Sequence, residues 1–459
     1  MKKLLTAALT AALGMAFAAS ALATETRINS LSAAGGLGGA FNEKTITIHD
    51  STNINTFPQY MVNYKNSVDV DNTAGSTYGS MNIRYALSDD PAPPVLMLFG
   101  KRSPWQAVTN TSTIGGLTPQ GIAGGMAGYS SVIDPATGKA TYSGPADPTN
   151  QQFGIGFGMK VGEAVRLGAT LSIGGNRKDK PGVMTNTGNA YDDEESNTWI
   201  DFNAGVGFDI NEVNSLDFGL NVMAGTFTNT DNNNLIRFAS NGLYGIALTA
   251  KGEFMVSQIS KIVPFLRVNY DSRSVVHQSR SDESGLGNES KQGTVSNLWF
   301  IMGTDLAIAP PNMEGVLIQP GIGFIYHGSN GNGTPAAGGT ATDIQENSNN
   351  LMPWYGFAAE AKAFEWLFLR LGARQVISRT NFNNTATTPA NNETHYSTVT
   401  NSVSTGLGIK LMGWDLDLNI NPAFFNNGLA VVNGQPTGAP AGAAPGASWA
   451  MDWALGYDW

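Results

Sequence analysis

The chain has 459 residues, 0 Cys, 14% charged residues and a formal net charge of −10. That acidic balance disfavours a phosphate backbone as a partner, so no nucleic acid is expected, and the lack of cysteine removes disulfide staples and thiolate metal sites. Mean hydropathy is −0.13, and beyond the N-terminus no stretch approaches the ~20 apolar residues of a spanning helix. Spanning strands are not excluded, because only one of their faces meets lipid.

In chain order, Lys2 and Lys3 precede an apolar run from Leu4 to Ala19, and Ala21-Leu22-Ala23 supplies the small residues of a signal-peptidase site. Residues 1–23 are expected to be a signal peptide, and loss of Lys2 and Lys3 takes the net charge to −12. No cysteine follows the run, so a lipoprotein anchor is not expected.

From Phe153 onward a rhythm sets in. Phe153, Ile155, Phe157, Met159 and Val161 fall on one face, with Gly154, Gly156, Gly158 and Lys160 on the other. Successive side chains of a strand point to opposite faces, so this is a strand with one apolar and one polar side. The same reading predicts strands at 56–64, 78–88 and 94–101, then at 153–161, 165–174, 198–210, 215–226, 243–256 and 262–272. It continues at 295–308, 316–327, 354–363, 367–377, 399–411, 414–424 and 448–459.

Short connections at 162–164, 211–214, 412–413 and around Pro310-Pro311 alternate with long ones at 176–197, 273–294, 328–353, 378–398 and 425–447. This predicts an all-β fold: a transmembrane antiparallel up-and-down β-barrel of about 16 strands (roughly 14–18), with short periplasmic turns and long extracellular loops. The expected location is the outer membrane of a Gram-negative-type bacterium, with residues 56–459 as the barrel. Residues 24–55 are then a periplasmic segment or a plug in the lumen.

With the apolar face toward lipid, the inward set includes Arg84, Lys160, Arg166, Asp201, Asn203, Asp217, Asn221, Lys251, Glu253, Arg267, Asp271, Asp305 and Gln319. It goes on with Glu360, Lys362, Arg370, Arg374, Lys410, Asp415, Asp417 and Asn421. Unpaired charges are not tolerated in a dry core, so a hydrated, pore-lining role is expected for them. Hairpin register sets Lys410 opposite Asp415 and Glu360 opposite Arg370. It also sets Lys160 opposite Arg166, a like-charge pair for which Glu163 in the turn is a candidate counter-charge. In the long stretch 102–150, Gly115, Leu117, Ile122 and Met126 belong to Gly- and Ala-rich apolar clusters. Such clusters suit a loop folded into the lumen as a constriction, or packing over neighbouring loops or a sister subunit.

At the C-terminus Met451, Trp453, Leu455, Tyr457 and Trp459 share one face and end on an aromatic residue. This resembles the terminal strand recognised by the barrel-assembly machinery of bacterial outer-membrane proteins, and the whole layout resembles a porin-like barrel. An interfacial aromatic girdle would place Trp459 equally well. The N-terminal layout resembles, by position and length, the fatty-acid-transporter type of outer-membrane barrel, in which such a segment plugs the lumen. It departs from that family's Asn-Pro-Ala signature, having Asn55-Thr56-Phe57-Pro58 instead.

His49, His277, His327 and His395 lack metal-ligand spacing. Asp69-x-Asp71-x-Thr73-x-Gly75 lacks the later residues of a calcium loop, and the Gly35–Gly39 cluster has no following phosphate-loop Lys. No catalysis, cofactor or metal is expected. The leading expectation is a channel for passive diffusion of small polar solutes. The others are a plugged transporter of hydrophobic compounds, and a display, adhesive or structural barrel acting through its loops. Expected partners are outer-membrane lipid and lipopolysaccharide, the assembly machinery and small solutes, with a homo-oligomer left open.

Overall fold

The computed structural model describes residues 25–32, 44–48, 50–72, 79–90, 92–104, 130–133, 140–143, 149–180, 193–231, 236–279, 292–310, 313, 315–333, 344–384, 392–420 and 451–458. The signal-peptide residues, Asn421, Trp459 and the constriction-loop residues Gly115, Leu117, Ile122 and Met126 lie outside these.

The chain opens with two helices, α1 (Glu25–Ser32) and α2 (Lys44–Thr47), and two 3-10 turns, Ser51–Asn55 and Pro58–Asn63. Three strands follow: β1 (Ser67–Asn72), β2 (Gly79–Ala86) and β3 (Val95–Pro104). A separate hairpin consists of β4 (Ser130–Ile133) and β5 (Ala140–Ser143). The rest is a meander of β6 (Thr149–Val161), β7 (Val165–Lys180), β8 (Asp193–Asp209), β9 (Ser215–Asp231), β10 (Ile236–Ser257) and β11 (Ser260–Ser279). It continues with β12 (Gln292–Ile308), β13 (Val316–Gly333), β14 (Ile344–Phe364), β15 (Leu367–Asn384), β16 (Asn392–Leu411), β17 (Trp414–Ile420) and β18 (Met451–Asp458). Sixteen of these strands form one closed antiparallel barrel, sealed where β18 pairs with β1, Ser67 opposite Asp458 and Asn72 opposite Trp453. Closure gives each barrel strand a neighbour on both sides.

The outer face is apolar. On β10, Tyr244, Ile246 and Leu248 are exposed while Ala247, Thr249 and Lys251 between them are buried, and β7 repeats the pattern with Leu167, Leu171 and Ile173 outward. The exposed residues continue around the wall through Ile155, Phe202, Phe218, Leu266, Ile322, Leu371 and Val403. A band of this size would aggregate in water and is stable facing hydrocarbon. The molecule is a membrane-spanning β-barrel.

Two expectations are corrected. Residues 56–64 are not a strand: Phe57, Tyr60 and Met61 follow helical spacing after Pro58 has fixed the local backbone, and all are buried inside the barrel. The first strand is β1, whose Val68-Asp69-Val70-Asp71 alternation is too short to stand out. One strand read falsely and one overlooked leave the count at sixteen. The long connections also shrink. The β13–β14 ladder runs on to Gly333 opposite Ile344, and β15–β16 to Asn384 opposite Asn392, through Asn- and Ser-rich sequence. Once the wall clears lipid, backbone pairing persists without apolar side chains to mark it.

Candidate functional site

The N-terminal segment packs inside the barrel, against the short-turn half of its wall. In α1, Ile28 and Leu31 are fully buried and cluster with Ile48 of the same segment and with Ala358 of the wall. Arg27 grips Glu360 with two nitrogens, Nε at 2.9 Å and Nη2 at 2.8 Å, and lies 3.6 Å from Asp50. Glu360 also accepts from Arg370 at 2.6 Å, and Arg370 reaches Asp417 at 2.6 Å. One chain of alternating charges therefore links α1 to β14, β15 and β17.

Each further docking point uses a wall residue facing inward. Lys44 of α2 donates to Asp305 at 2.6 Å, and Thr47 and Gln319 donate to the same carboxylate oxygen. Thr26 donates to Asp71 at 2.8 Å. Gln59 and Tyr60 share Asp217, at 3.0 and 2.6 Å. Burial, then the charge of Asp217, raises the Tyr60 hydroxyl well above the ordinary phenol range, so it remains a donor. At Gly168 a Cβ would come within 2.3 Å of the Pro58 backbone, so only a glycine wall lets the turn seat there.

The other inward residues mostly satisfy one another. Lys410 pairs with Asp415 at 3.1 Å, Lys251 with Glu253 at 3.1 Å, and Arg84 with Asp69. Asp201 accepts from Asn203 and Asn221, Asp271 accepts from Asn297, and Lys362 lies 3.3 Å from Glu365 at the turn. Lys160 and Arg166 are register partners and are compensated by Asp209, at 3.5 and 2.8 Å, with Asp217 3.4 Å from Arg166; Glu163 sits exposed in the turn and takes no part. Many of these inward charges thus have partners on the wall or on the N-terminal segment.

The inward face also carries an apolar wall that alternation hid. Met97 and Phe99 on β3, Phe265 on β11, Trp299 and Ile301 on β12, Ile325 on β13, Met352 and Trp354 on β14 and Val376 on β15 form one buried cluster. Ile46, Ile54, Phe57, Tyr60 and Met61 of the N-terminal segment belong to it. Most of this wall lies beyond α2: Phe265, Gly303, Gly323, Trp354 and Val376 make one cross-strand row, one step further from the short turns than Asp305. Arg374, one step back, lies 5.7 Å over the Trp354 ring. A signal was available in the sequence, because Leu298-Trp299-Phe300-Ile301-Met302 and Val95-Leu96-Met97-Leu98-Phe99 are unbroken apolar runs, the mark of strands buried on both faces.

Among the four histidines, His327 faces inward against Trp299, and no metal-binding cluster occurs among the described residues. On the terminal strand, Trp453, Leu455 and Tyr457 lie in β18, with Leu455 opposite Leu416 and Tyr457 opposite Trp414.

No family model matches the sequence. No curated protein matches it either. Among solved structures the chain is similar to the alcaligin outer membrane receptor FauA from Bordetella pertussis (8% identity, TM-score 0.41, covering 77% of this chain and 60% of that one). It is also similar to the ferric yersiniabactin uptake receptor FyuA from Yersinia pestis (8%, 0.39, 77% and 60%). A third is the translocator domain of the autotransporter NalP from Neisseria meningitidis (11%, 0.29, 65% and 90%). The chain spans 60% of the length of the two receptors. The class of this molecule rests on its own closed wall and apolar outer band.

Proposed function

We propose that this barrel transports hydrophobic compounds across the outer membrane, with residues 25–64 as its plug, rather than passing small polar solutes by free diffusion. The carrying observation is the buried aromatic and aliphatic wall inside the lumen, next to a segment that already fills the short-turn half. A passage for polar solutes keeps its lining wet and charged. Here many of the inward charges are paired with one another or with the plug, and the buried apolar cluster of the inner wall holds Phe265, Trp299, Ile301, Ile325, Met352 and Trp354. Such a surface discriminates by desolvation, at roughly 25 cal/mol per Å² of apolar area removed from water. With the short turns in the periplasm, an incoming compound meets this wall before it meets the plug.

The test is twofold on the intact, folded protein. In planar bilayers it should give no large ohmic steps. In detergent it should bind an apolar fluorescent probe with saturation, accompanied by quenching of tryptophan emission. Large ohmic conductance together with no saturable apolar binding would return the molecule to the polar-channel reading.

A further inference from the structure

Apart from bulges, the ladders of the described barrel strands run unbroken except at three places, each of them at a proline. Between β10 and β11, pairing lapses from Lys251–Phe265 to Phe254–Ile262, at Pro264. Between β12 and β13 it lapses from Asp305–Gly321 to Ile308–Ile318, at Pro320. Between β14 and β15 it lapses from Leu351–Arg379 to Trp354–Val376, at Pro353. A residue of an antiparallel strand turns its N–H to one neighbour only, and proline has none to give. Each of the three keeps its pairing on the other side: Pro264 with Thr304, Pro320 with Phe357 and Pro353 with Phe324.

Proline is ordinarily kept to sheet edges and bulges, and in lipid a backbone group has no water to fall back on. The gap at Pro320 lies in the lipid-facing band, with Leu306 and Ile322 exposed on its outer side. On its inner side the same two strands are joined by side chains. Gln319 of β13 donates to Asp305 of β12 at 2.8 Å, and Gly321, where any Cβ would collide with Asp305, lets that carboxylate lie across β13. Lys44 of α2 then donates to both strands at once, to Asp305 at 2.6 Å and to the backbone carbonyl of Gln319 at 3.4 Å. Thr47, one helical turn on, adds a further donor to Asp305. The gap at Pro264 is spanned by the wall's own charges, with Lys261 of β11 lying 3.6 Å from Glu253 of β10.

We propose that α2 is an internal splint for the β12–β13 gap, so that the wall is stiff there while the plug is docked and loosens when α2 leaves Asp305. Plug and wall then form one two-state device, in which displacement of the N-terminal segment releases this stretch of wall. Linkage makes the effect reciprocal: a wall with its ladder completed needs the splint less. The coupling goes beyond the transport reading and holds whatever the barrel carries.

The experiment is hydrogen–deuterium exchange, resolved by peptide mass spectrometry on the full-length folded protein in detergent. It compares the wild type with Lys44→Met, Pro320→Ala and the two combined. Lys44→Met should speed exchange in peptides covering 303–322 by about tenfold or more, as expected on losing a charge-assisted hydrogen bond, and leave the unbroken β7–β8 ladder unchanged. Pro320→Ala supplies the missing N–H, so it should slow exchange in the same peptides and remove most of the effect of Lys44→Met. Heat-modifiable migration confirms that each variant is a folded barrel. No acceleration at 303–322 in Lys44→Met, or equal acceleration in β7–β8, would overturn the splint. So would an undiminished effect of Lys44→Met in the Pro320→Ala background. Should Lys44→Met alone yield no barrel, Pro320→Ala should restore it, and failure of that rescue would count equally against the proposal.

Discussion

Asp305 shows how much of the plug hangs on single groups. One carboxylate oxygen accepts from Lys44, Thr47 and Gln319, and both ion-pair partners are at most 1% exposed. Removing one member of a buried pair leaves the other uncompensated, at about 3–5 kcal/mol, whereas replacing both with apolar residues of similar volume is often neutral. Asp305→Ala should therefore loosen α2, seen as faster proteolysis between residues 25 and 64 and as new conductance. The pair Lys44→Met with Asp305→Leu should restore protection. A single variant as protected as wild type would mean the ion pair does not hold the plug. Asp305 was legible as an inward residue from alternation on its strand. Its partner was not, because Lys44 sits in a stretch with no period from which a face could be read.

At the scale of elements, strand-bearing sequence was legible wherever one face met lipid and the other polar groups. Phe153–Val161 and its partner β7 appear as the alternation requires. Legibility failed in two ways. Where both faces are apolar, as on β3 and in the middle of β12, period 2 gives no inside and outside, and the lumen wall was missed. Where neither face is apolar, as on the polar continuations of β13 to β16, ladder hydrogen bonds hold a strand that leaves no trace in hydropathy. The turns were clearer: Met412 and Gly413 both take positive φ, at 54° and 83°, in the tight link between β16 and β17. Met412 is 96% exposed. With short turns in the periplasm, Met412→Cys should resist an impermeant thiol reagent on whole cells, whereas Asn384→Cys, at the opposite rim, should react. Labelling of Met412→Cys from outside would invert the orientation.

For the whole molecule, the barrel was legible because sixteen strands repeat one signal. The filling of its lumen was not, because it depends on contacts between residues hundreds of positions apart, such as Arg27 with Glu360. The seam has a further consequence. β1 meets β18 across almost the full chain length, so cylinder closure is the pairing with the greatest loop to close and should come late. α1 also straddles the seam, with Thr26 on Asp71 of β1 and Ser30 accepting from Ser404 of β16 at 2.9 Å. The helix thus acts as a clasp that draws the two ends of the ribbon together. Thr26→Ala combined with Arg27→Ala should slow the appearance of heat-modifiable barrel during refolding more than it lowers the final yield; an unchanged rate would show that the ends find each other without it.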